Sequence, residues 1–456
     1  NTAITSTPDL SEAESIGKYA FALTKIAKVT LPGGVFADDY AFALNTELKE
    51  VEIGDGAVIG EAAFYSRLTD NSFEGTGKFN SDSYQTYEYE VKNETGATAK
   101  TYTYYSYNIK SGNVSTLTTL TVGKNVTIGN YAFAGNAKLE AVTWNGNGEG
   151  VIIGDYAFYN AASLVTADLS KIETIGEGAF SGVRRMDLRI NENKIYAAYR
   201  IAMNGGEERI LGNLYTTGAA QLAAVDLSNA GTLGKGAFAY NQKLTNLTLG
   251  DKLTAIADYA FAGATELASL ALPENISEVG AQAFYSTKIA SADLSKVDTI
   301  GTQAFANTPL TSVVLKEGAN IGDGAFALCD RLENVENLAK AVQIGAYAFR
   351  GTALETADLS AAKTIGDYAF ALSAVKEVKF GKDLETLGEN PFYGCEIASF
   401  GKTEDVTFGS QVIGKELNEN YEISANVKVS NGVLYQKVPN GLELVSYPML
   451  KTATDY

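Results

Sequence analysis

The stretch Ile300-Gly301-Thr302-Gln303-Ala304-Phe305 decides the fold, because the same phrase recurs along most of the chain. The pattern is apolar-Gly-x-x-Ala-Phe, and its first copy is Ile16-Gly17-Lys18-Tyr19-Ala20-Phe21. The phenylalanine recurs fourteen times, and eleven of the thirteen gaps between copies are 21 to 25 residues. These residues are Phe21, Phe42, Phe64, Phe133, Phe158, Phe180, Phe238, Phe261, Phe284, Phe305, Phe326, Phe349, Phe370 and Phe392. Such a period predicts a repeat solenoid, whose units bury their apolar faces only by stacking on neighbours.

A second phrase, Leu-x-x-apolar-x-Leu, begins five or six residues after each phenylalanine. Examples run from Leu48 to Ile53, from Leu244 to Leu249 and from Leu267 to Leu272. Its last three positions alternate between apolar and other residues, which is typical of a short strand with one buried face. Stacked repeats would align these strands into a parallel β-sheet.

Each position of the first phrase suggests a structural role. Glycine occupies its place in twelve of the fourteen copies, which indicates a positive φ or a close backbone approach; Asp38 and Ala257 are the exceptions. Alanine would be the small residue where coils approach, and the phenylalanines would form a core ladder along the axis. Tyrosine precedes the alanine in seven copies, and we expect a half-buried column of rings rather than a ligand-stacking one. The seven are Tyr19, Tyr40, Tyr131, Tyr156, Tyr259, Tyr347 and Tyr368.

Composition excludes several classes of function. A net charge of −18 and a pI near 4.6 give no global reason to bind nucleic acid. No run of eighteen apolar residues predicts membrane insertion by this chain. The start at Asn1 shows no export signal, so the protein is either cytosolic or has lost a targeting segment. The absence of histidine removes Ser-His-Asp and Cys-His catalysis and His-ligated zinc, and we expect no catalytic residue, metal or cofactor.

Cys329 and Cys395 each follow a repeat phenylalanine by three residues, three repeat steps apart. One strand spacing per step would separate them by roughly 14 Å, which is too far for a disulfide. The sequence therefore predicts two free thiols.

Ile-Gly-x-x-Ala-Phe joined to Leu-x-x-Val-x-Leu resembles the leucine-rich repeats of BspA-like bacterial surface proteins, in which a cysteine three residues after the phenylalanine is frequent. The resemblance covers nearly the whole chain. It implies a right-handed leucine-rich-repeat superhelix with a parallel sheet and about 14 repeats of 21–25 residues. It also implies an extracellular or bacterial cell-surface location, after removal of an export signal absent from this chain, and adhesion as the usual role. It supplies no catalytic residues.

Two long gaps interrupt the period, and insertions in repeat arrays often form the binding face. Residues 70–115 contain tyrosines on both sides of a turn signal at Asn93-Glu94-Thr95-Gly96, which predicts a β-hairpin. Tyr87, Tyr89, Tyr102, Tyr104 and Tyr105 are our candidate ligand-binding residues there, since such composition is typical of paratopes. The alternative is a hairpin that only packs on the solenoid.

Residues 183–225 form the second insertion and hold most of the arginines of the chain. Arg184, Arg185 and Arg189 are candidates for binding an acidic glycan or protein face through bidentate contacts. Pairing with nearby glutamates within the insertion is the alternative. An Asn204-Gly205 turn signal makes this insertion hairpin-like as well.

The array ends after Phe392, and the remaining sequence changes character. We assign residues 1–409 to the solenoid and 410–456 to a C-terminal β-hairpin cap or a segment between repeat blocks. Strands are expected around Asn431-Gly432 and Pro439-Asn440-Gly441.

The leading hypothesis is a non-enzymatic binding or adhesion protein that recognises an extracellular protein or glycan through its sheet face and insertions. We expect a monomer. The second hypothesis is a passive structural spacer on the cell surface. The third is a carboxylate-dependent glycosidase, which would need two buried carboxyls about 5 to 9 Å apart in a cleft.

Overall fold

The computed structural model describes residues 4–6, 9–66, 84–92, 98–107, 116–182, 221–381, 383–397, 399–400, 427–430, 433–438 and 441–446. The repeats wind as a solenoid of stacked coils joined by parallel strands, as the period predicted. Each coil has a two-residue strand before its Gly-x-x-Ala-Phe turn, and nearly every coil has a second strand of two to four residues after it. We call the ladder of strands after the turns the broad sheet and the ladder of strands before the turns the narrow sheet.

The broad sheet stacks in groups of five, two, three and three strands. Its strands are Lys28–Leu31, Glu50–Ile53, Thr119–Val122, Ala141–Trp144, Thr166–Ala167, Ala224–Leu227, Asn246–Leu249, Ser291–Leu294, Ser312–Leu315, Asn334–Glu336, Thr356–Leu359, Glu377–Phe380 and Ser399–Phe400. The narrow sheet stacks in two groups of seven strands. They are Ser15–Ile16, Phe36–Ala37, Val58–Ile59, Thr127–Ile128, Ile152–Ile153, Thr174–Ile175, Thr232–Leu233, Ala255–Ile256, Glu278–Val279, Thr299–Ile300, Asn320–Ile321, Gln343–Ile344, Thr364–Ile365 and Thr386–Leu387. Two short 3-10 helices are Asn145–Gly148 and Leu338–Lys340.

The broad sheet is the one that the Leu-x-x-apolar-x-Leu phrase predicted, with one local error. Residues 267–272 form no strand, although Leu270 and Leu272 still pack against the core. Ala271 occupies an outward position of this segment, and alanine favours strands less than the threonine found at that position in several other coils. The narrow sheet was not predicted, because two residues are too few to show an alternation.

The repeat phenylalanines form the predicted core ladder. All thirteen consecutive pairs stack, with ring centroids 4.9–5.8 Å apart. Phe42 through Phe370 are each at most 2% exposed, whereas Phe21 of the first coil is half-buried. One apolar cluster runs from Ile16 to Ile397, so the coils share a single core.

The repeat glycines serve close approach rather than positive φ. In eleven of the twelve, a Cβ would lie 2.2–2.8 Å from an atom of the preceding coil, and none of the twelve has a positive φ. Gly17 is the exception: it lies in the first of the described coils, and its Cβ would meet nothing within 4 Å. The sequence left open whether these glycines provide a positive φ or a close backbone approach, and the structure shows the close approach.

Positive φ occurs two residues after that glycine position. The residue before Ala, or before Pro391 in the last copy, has a φ of 44–63° in all fourteen turns. Eleven of these residues are not glycine, and the left-handed conformation costs an L-residue roughly 1–2 kcal/mol. The tyrosines therefore occupy a strained position, which contacts with neighbouring coils must offset.

The position three residues after the phenylalanine satisfies backbone carbonyls. The Nδ2 atoms of Asn45, Asn136 and Asn241 each donate to the phenylalanine carbonyls of their own and the preceding coil, at 2.8–3.0 Å. The thiols of Cys329 and Cys395 donate to the carbonyls of the preceding coil at 3.2 and 3.0 Å. Both cysteines are buried and free, as predicted. They occupy a hydrogen-bonding position of the coil.

Strands outside the solenoid form two antiparallel units. Tyr84–Lys92 pairs with Thr98–Tyr107, which confirms the predicted hairpin of the first insertion. Val427–Ser430, Val433–Val438 and Gly441–Ser446 form a three-stranded sheet around the expected turns near the C-terminus. Residues 93–96, 431–432 and 439–440 of the predicted turns lie outside the described residues.

Candidate binding surface

The first insertion is attached between a phenylalanine turn and the next broad strand. The described solenoid stops at Ser66, whose N–H donates to the carbonyl of Ala134 at 2.9 Å. It resumes at Thr116, whose hydroxyl donates to the carbonyl of Leu48 at 2.7 Å. Across this gap the rings of Phe64 and Phe133 still stack, 5.1 Å apart. The insertion therefore adds residues to one coil without separating the coils.

The second insertion is attached at the same corner of its coil. The N–H of Gly182 donates to Ala239 O at 3.1 Å, and the N–H of Gln221 donates to Leu164 O at 3.0 Å. Phe180 and Phe238 stack 5.3 Å apart across the gap. The solenoid resumes at 221 rather than after the predicted residue 225. The reason is that Leu222, Val225 and Leu227 form a Leu-x-x-apolar-x-Leu phrase, each at most 1% exposed.

Both insertions thus leave one edge of the solenoid, three coils apart. Three strand spacings correspond to roughly 15 Å along the axis. Each insertion returns directly into a broad strand, Thr119–Val122 or Ala224–Leu227. The outward face of the broad sheet is therefore the solenoid surface that both insertions border.

The middle of this outward face is nearly uncharged. Side chains alternate inward and outward along each broad strand, and the outward ones are exposed or half-buried. From the third to the ninth of the broad strands listed above, the outward residues are Thr119, Thr121, Ala141, Thr143, Thr166, Ala224, Asp226, Asn246, Thr248, Ser291, Asp293, Ser312 and Val314. Alternation in the strand phrase could have identified these residues, but none of them was among the predicted site residues.

Asp226 and Asp293 on this face, like Asp168 directly after Thr166–Ala167, act as turn residues. The carboxylates of Asp226 and Asp293 accept the N–H of Ser228 and Ser295, each at 2.9 Å. Hydrogen bonds from Ser295 lower the pKa of Asp293. The same contact recurs at Asp168 and Asp358. The repeated Asp-Leu-Ser sequence therefore stabilises the turn after the strand.

Charge is concentrated toward the ends of the broad sheet, largely in ion pairs between coils. Lys28 lies 2.9 Å from both Glu50 and Glu52 at the N-terminal end. Lys379 lies 3.1 Å from Asp358 at the other end. These pairs are exposed and add little stability. They leave the central face as a polar, weakly charged surface with small side chains.

The hairpin of the first insertion groups most of the predicted tyrosines. Its register pairs Tyr87 with Tyr104 and Tyr89 with Tyr102. Residues two apart in a strand share a face, so these four tyrosines lie on one face of the hairpin. Tyr105 pairs with Thr86 and lies on the opposite face. The structure therefore groups four of the five candidates and separates the fifth.

The predicted arginine site lies outside the described part of the chain. Arg184, Arg185 and Arg189 belong to residues 183–220. Their role in ligand binding stays a prediction.

The tyrosine column of the turns is more buried than the half-buried column that we expected. Tyr19, Tyr131 and Tyr368 are half-buried, whereas the other four tyrosines are buried. Tyr19 stacks on Tyr40 at 5.2 Å, and Tyr131 stacks on Tyr156 at 5.1 Å. Tyr40 and Tyr156 are only 3% and 2% exposed. Because the rings stack on one another, the column packs coil against coil.

The described residues offer no catalytic or metal centre of the kinds considered. No Asp or Glu of the coils from Ile16 to Ile397 whose burial the structure describes is buried, so those coils show no buried carboxyl pair for glycoside hydrolysis. The same residues contain no group of three or more Cys, Asp or Glu side chains that could hold a metal ion. None of the helices in the described segments has the length and apolar character needed to span a bilayer.

Comparisons with known proteins support the resemblance found in the sequence. A family model described as BspA type leucine rich repeat region (6 copies) matches residues 2–90, 100–198, 231–335 and 298–417. A search of curated proteins finds no match.

Several solved structures of bacterial proteins are similar to the chain. A leucine-rich repeat protein from Bacteroides ovatus is 17% identical, with 88% of this chain and 78% of that chain covered and a TM-score of 0.37. The pneumococcal vaccine antigen PcpA is 15% identical, with 70% and 73% covered and a TM-score of 0.32. A leucine rich cell surface protein from Faecalibacterium prausnitzii is 16% identical, with 72% and 94% covered and a TM-score of 0.31.

The family model covers more than half of the chain, and its matches include most of the stacked coils between Ile16 and Ile397. The chain belongs to the BspA-type leucine-rich-repeat family.

Proposed function

We propose that this chain is a non-enzymatic binding or adhesion protein that recognises an extracellular protein or glycan. Its ligand would contact the outward face of the broad sheet and the two insertions. The observation that carries the proposal is that both insertions leave the same corner, three coils apart, beside that face.

The surface chemistry supports this assignment. The central outward face offers hydroxyl, amide and methyl groups that can form hydrogen bonds and close contacts without desolvating many charges. Thr143 and Asn246 are exposed and belong to broad strands on either side of the second insertion. A rigid core of stacked rings would hold this face flat and the insertions at fixed spacing.

The location that we propose is the cell surface or the extracellular space. Membership of the BspA-type family supports it, and so does a net charge of −18, which favours neither nucleic acid nor an anionic bilayer as partner. A spacer without a ligand remains the competing function, since a stiff solenoid also suits that role.

Binding of the purified chain to immobilised matrix proteins, glycans and intact cells tests the proposal. One variant replaces residues 84–107 with a short Gly-Ser linker. A second carries Thr143→Arg and Asn246→Arg on the broad face, and a third replaces Arg184, Arg185 and Arg189 with alanine. The matched control carries Thr299→Arg and Thr364→Arg, which are outward positions of the narrow sheet.

We expect the broad-face variant and at least one insertion variant to lose about tenfold or more in affinity, while the narrow-face control binds like the native chain. Equal binding by all variants would contradict the proposed surface. Absence of any partner above background would favour the spacer.

A further inference from the structure

The two faces of the first hairpin differ in composition in a way that the sequence did not reveal. One face carries Tyr87, Tyr89, Tyr102 and Tyr104 as two directly opposed pairs. The same face continues with Gln85 opposite Ser106 and with Val91 opposite Lys100. We call it the tyrosine face.

The opposite face carries the acidic residues of the strands. Glu88 pairs with Thr103 and Glu90 pairs with Thr101. Its own tyrosines, Tyr84, Tyr105 and Tyr107, gather at the end of the hairpin away from its turn. Although the whole chain carries a charge of −18, the tyrosine face between Gln85 and Val91 therefore holds no carboxylate and one cation, Lys100.

From this division we infer that the tyrosine face is a binding site for a neutral oligosaccharide. The inference rests on the proposed function and names the ligand class of one part of that surface. A sugar ring has an apolar C–H face, which suits an aromatic ring, and a rim of hydroxyls, which suits phenol, amide and hydroxyl groups. A strongly anionic glycan would need more than one cation, and a cationic ligand would need carboxylates.

The size of the face distinguishes a sugar from a folded protein. The two opposed tyrosine pairs occupy a patch of only two residues on each of two strands. A stable protein interface needs about 800 Å² per partner. Neighbouring tyrosines are about 7 Å apart along a strand and about 5 Å apart across strands, which suits a short oligosaccharide.

The test uses the full chain and two variants that differ only in the face they alter. Tyr89→Thr with Tyr102→Thr removes an opposed pair from the tyrosine face. Tyr84→Thr with Tyr107→Thr removes an opposed pair from the other face and is the matched control. Threonine favours strands, so both variants should keep the hairpin, which far-UV circular dichroism and limited proteolysis would check. The probes are insoluble cellulose, chitin and mannan, with immobilised heparin as the anionic comparison.

We expect the native chain to bind at least one neutral polysaccharide more tightly than heparin. The Tyr89/Tyr102 variant should lose about tenfold or more in affinity, and the Tyr84/Tyr107 variant should stay within about threefold of the native chain. Equal losses in both variants, no loss in either, or retention on heparin alone would overturn the inference. A native chain that binds a protein ligand but none of the neutral polysaccharides would overturn the glycan assignment and leave the proposed binding function standing.

Discussion

The ring of Phe64 stacks on the ring of Phe133 with their centroids 5.1 Å apart, although 69 residues separate them in the chain. Their planes differ by only 3°. The contact is as close as that between Phe42 and Phe64, which are consecutive repeats without an insertion. The core stack therefore continues across the first insertion without interruption.

Removing one ring from the middle of the stack should destabilise the protein strongly. Phe261 is fully buried and lies between Phe238 and Phe284, with centroids 5.8 and 5.6 Å away. Phe261→Ala should cost about 3–5 kcal/mol in the free energy of unfolding, measured by urea denaturation. Phe21→Ala is the matched control, because Phe21 is half-buried and has one stacking partner in the array, Phe42. We expect a loss of about 1–2 kcal/mol there. Equal losses in the two variants would contradict the claim that stacking within the phenylalanine ladder stabilises the fold.

A methyl group at a repeat glycine should separate two coils. The Cβ of Gly301→Ala would lie 2.6 Å from the backbone of Gly280 and Ala281. Because those atoms are backbone, they cannot move aside cheaply, and we expect a loss of about 1–3 kcal/mol. Gly17→Ala is the control, since its Cβ meets nothing within 4 Å. Thermal unfolding of that variant should match the native chain within a few degrees. A comparable loss at both positions would mean that conformation, not proximity, explains the glycines.

The sequence predicted the phenylalanine ladder and the broad sheet because their signals repeat fourteen times with a fixed period. It could not decide the role of the repeat glycine. A close approach and a positive φ would both favour glycine, so the sequence alone cannot distinguish the two explanations. The structure distinguishes them, because it shows how closely Gly301 approaches Gly280 in the adjacent coil. Nor did the sequence indicate that the tyrosines adopt the left-handed conformation, because a bulky residue such as Tyr259 is rarely found there.

The binding surface was less predictable than the core. The hairpin was predictable from its tyrosines and its turn. Which tyrosines share a face depends on the strand register, which places Tyr104 opposite Tyr87 and Tyr105 opposite Thr86, on the two different faces. The shared corner of the two insertions was not predictable either. It follows from which strand each insertion returns to, and that depends on how Leu117 and Leu222 join the core.

The buried asparagine of the turn should contribute to stability through the two coils that it joins. Nδ2 of Asn45 donates to the carbonyls of Phe21 and Phe42, both at 2.8 Å. Asn45→Leu removes both hydrogen bonds, and we expect a loss of about 1–3 kcal/mol in urea denaturation. Asn45→Thr should recover part of it, because Thr287 donates to its own Phe284 carbonyl in the equivalent position. A stable Asn45→Leu variant would show that these carbonyls need no side-chain donor.

The buried thiols should be inert in the folded chain. Burial raises the pKa of Cys329 to about 11, although hydrogen bonding with Thr308 opposes the shift. Only the thiolate reacts with iodoacetamide, so a rise of about two units from 9 leaves roughly 100-fold less of it at pH 8. We expect no labelling of native Cys329 or Cys395 within an hour and full labelling in urea. An engineered cysteine at an exposed position, Ser269→Cys, is the control that should react at once.

Because the pKa of Cys329 is raised, the free energy of unfolding should fall at alkaline pH. The folded state holds the Cys329 proton more tightly than the unfolded state does. The stability contributed is therefore present below pH 9 and lost as the pH rises toward 11. Cys329→Thr places a hydroxyl where Thr308 and Thr352 already donate to phenylalanine carbonyls, so it should keep the fold and lack this contribution. Urea denaturation at pH 8 and pH 10.5 measures it: the native chain should lose more stability between the two than the variant. Equal losses would mean that Cys329 does not titrate differently in the folded and unfolded states.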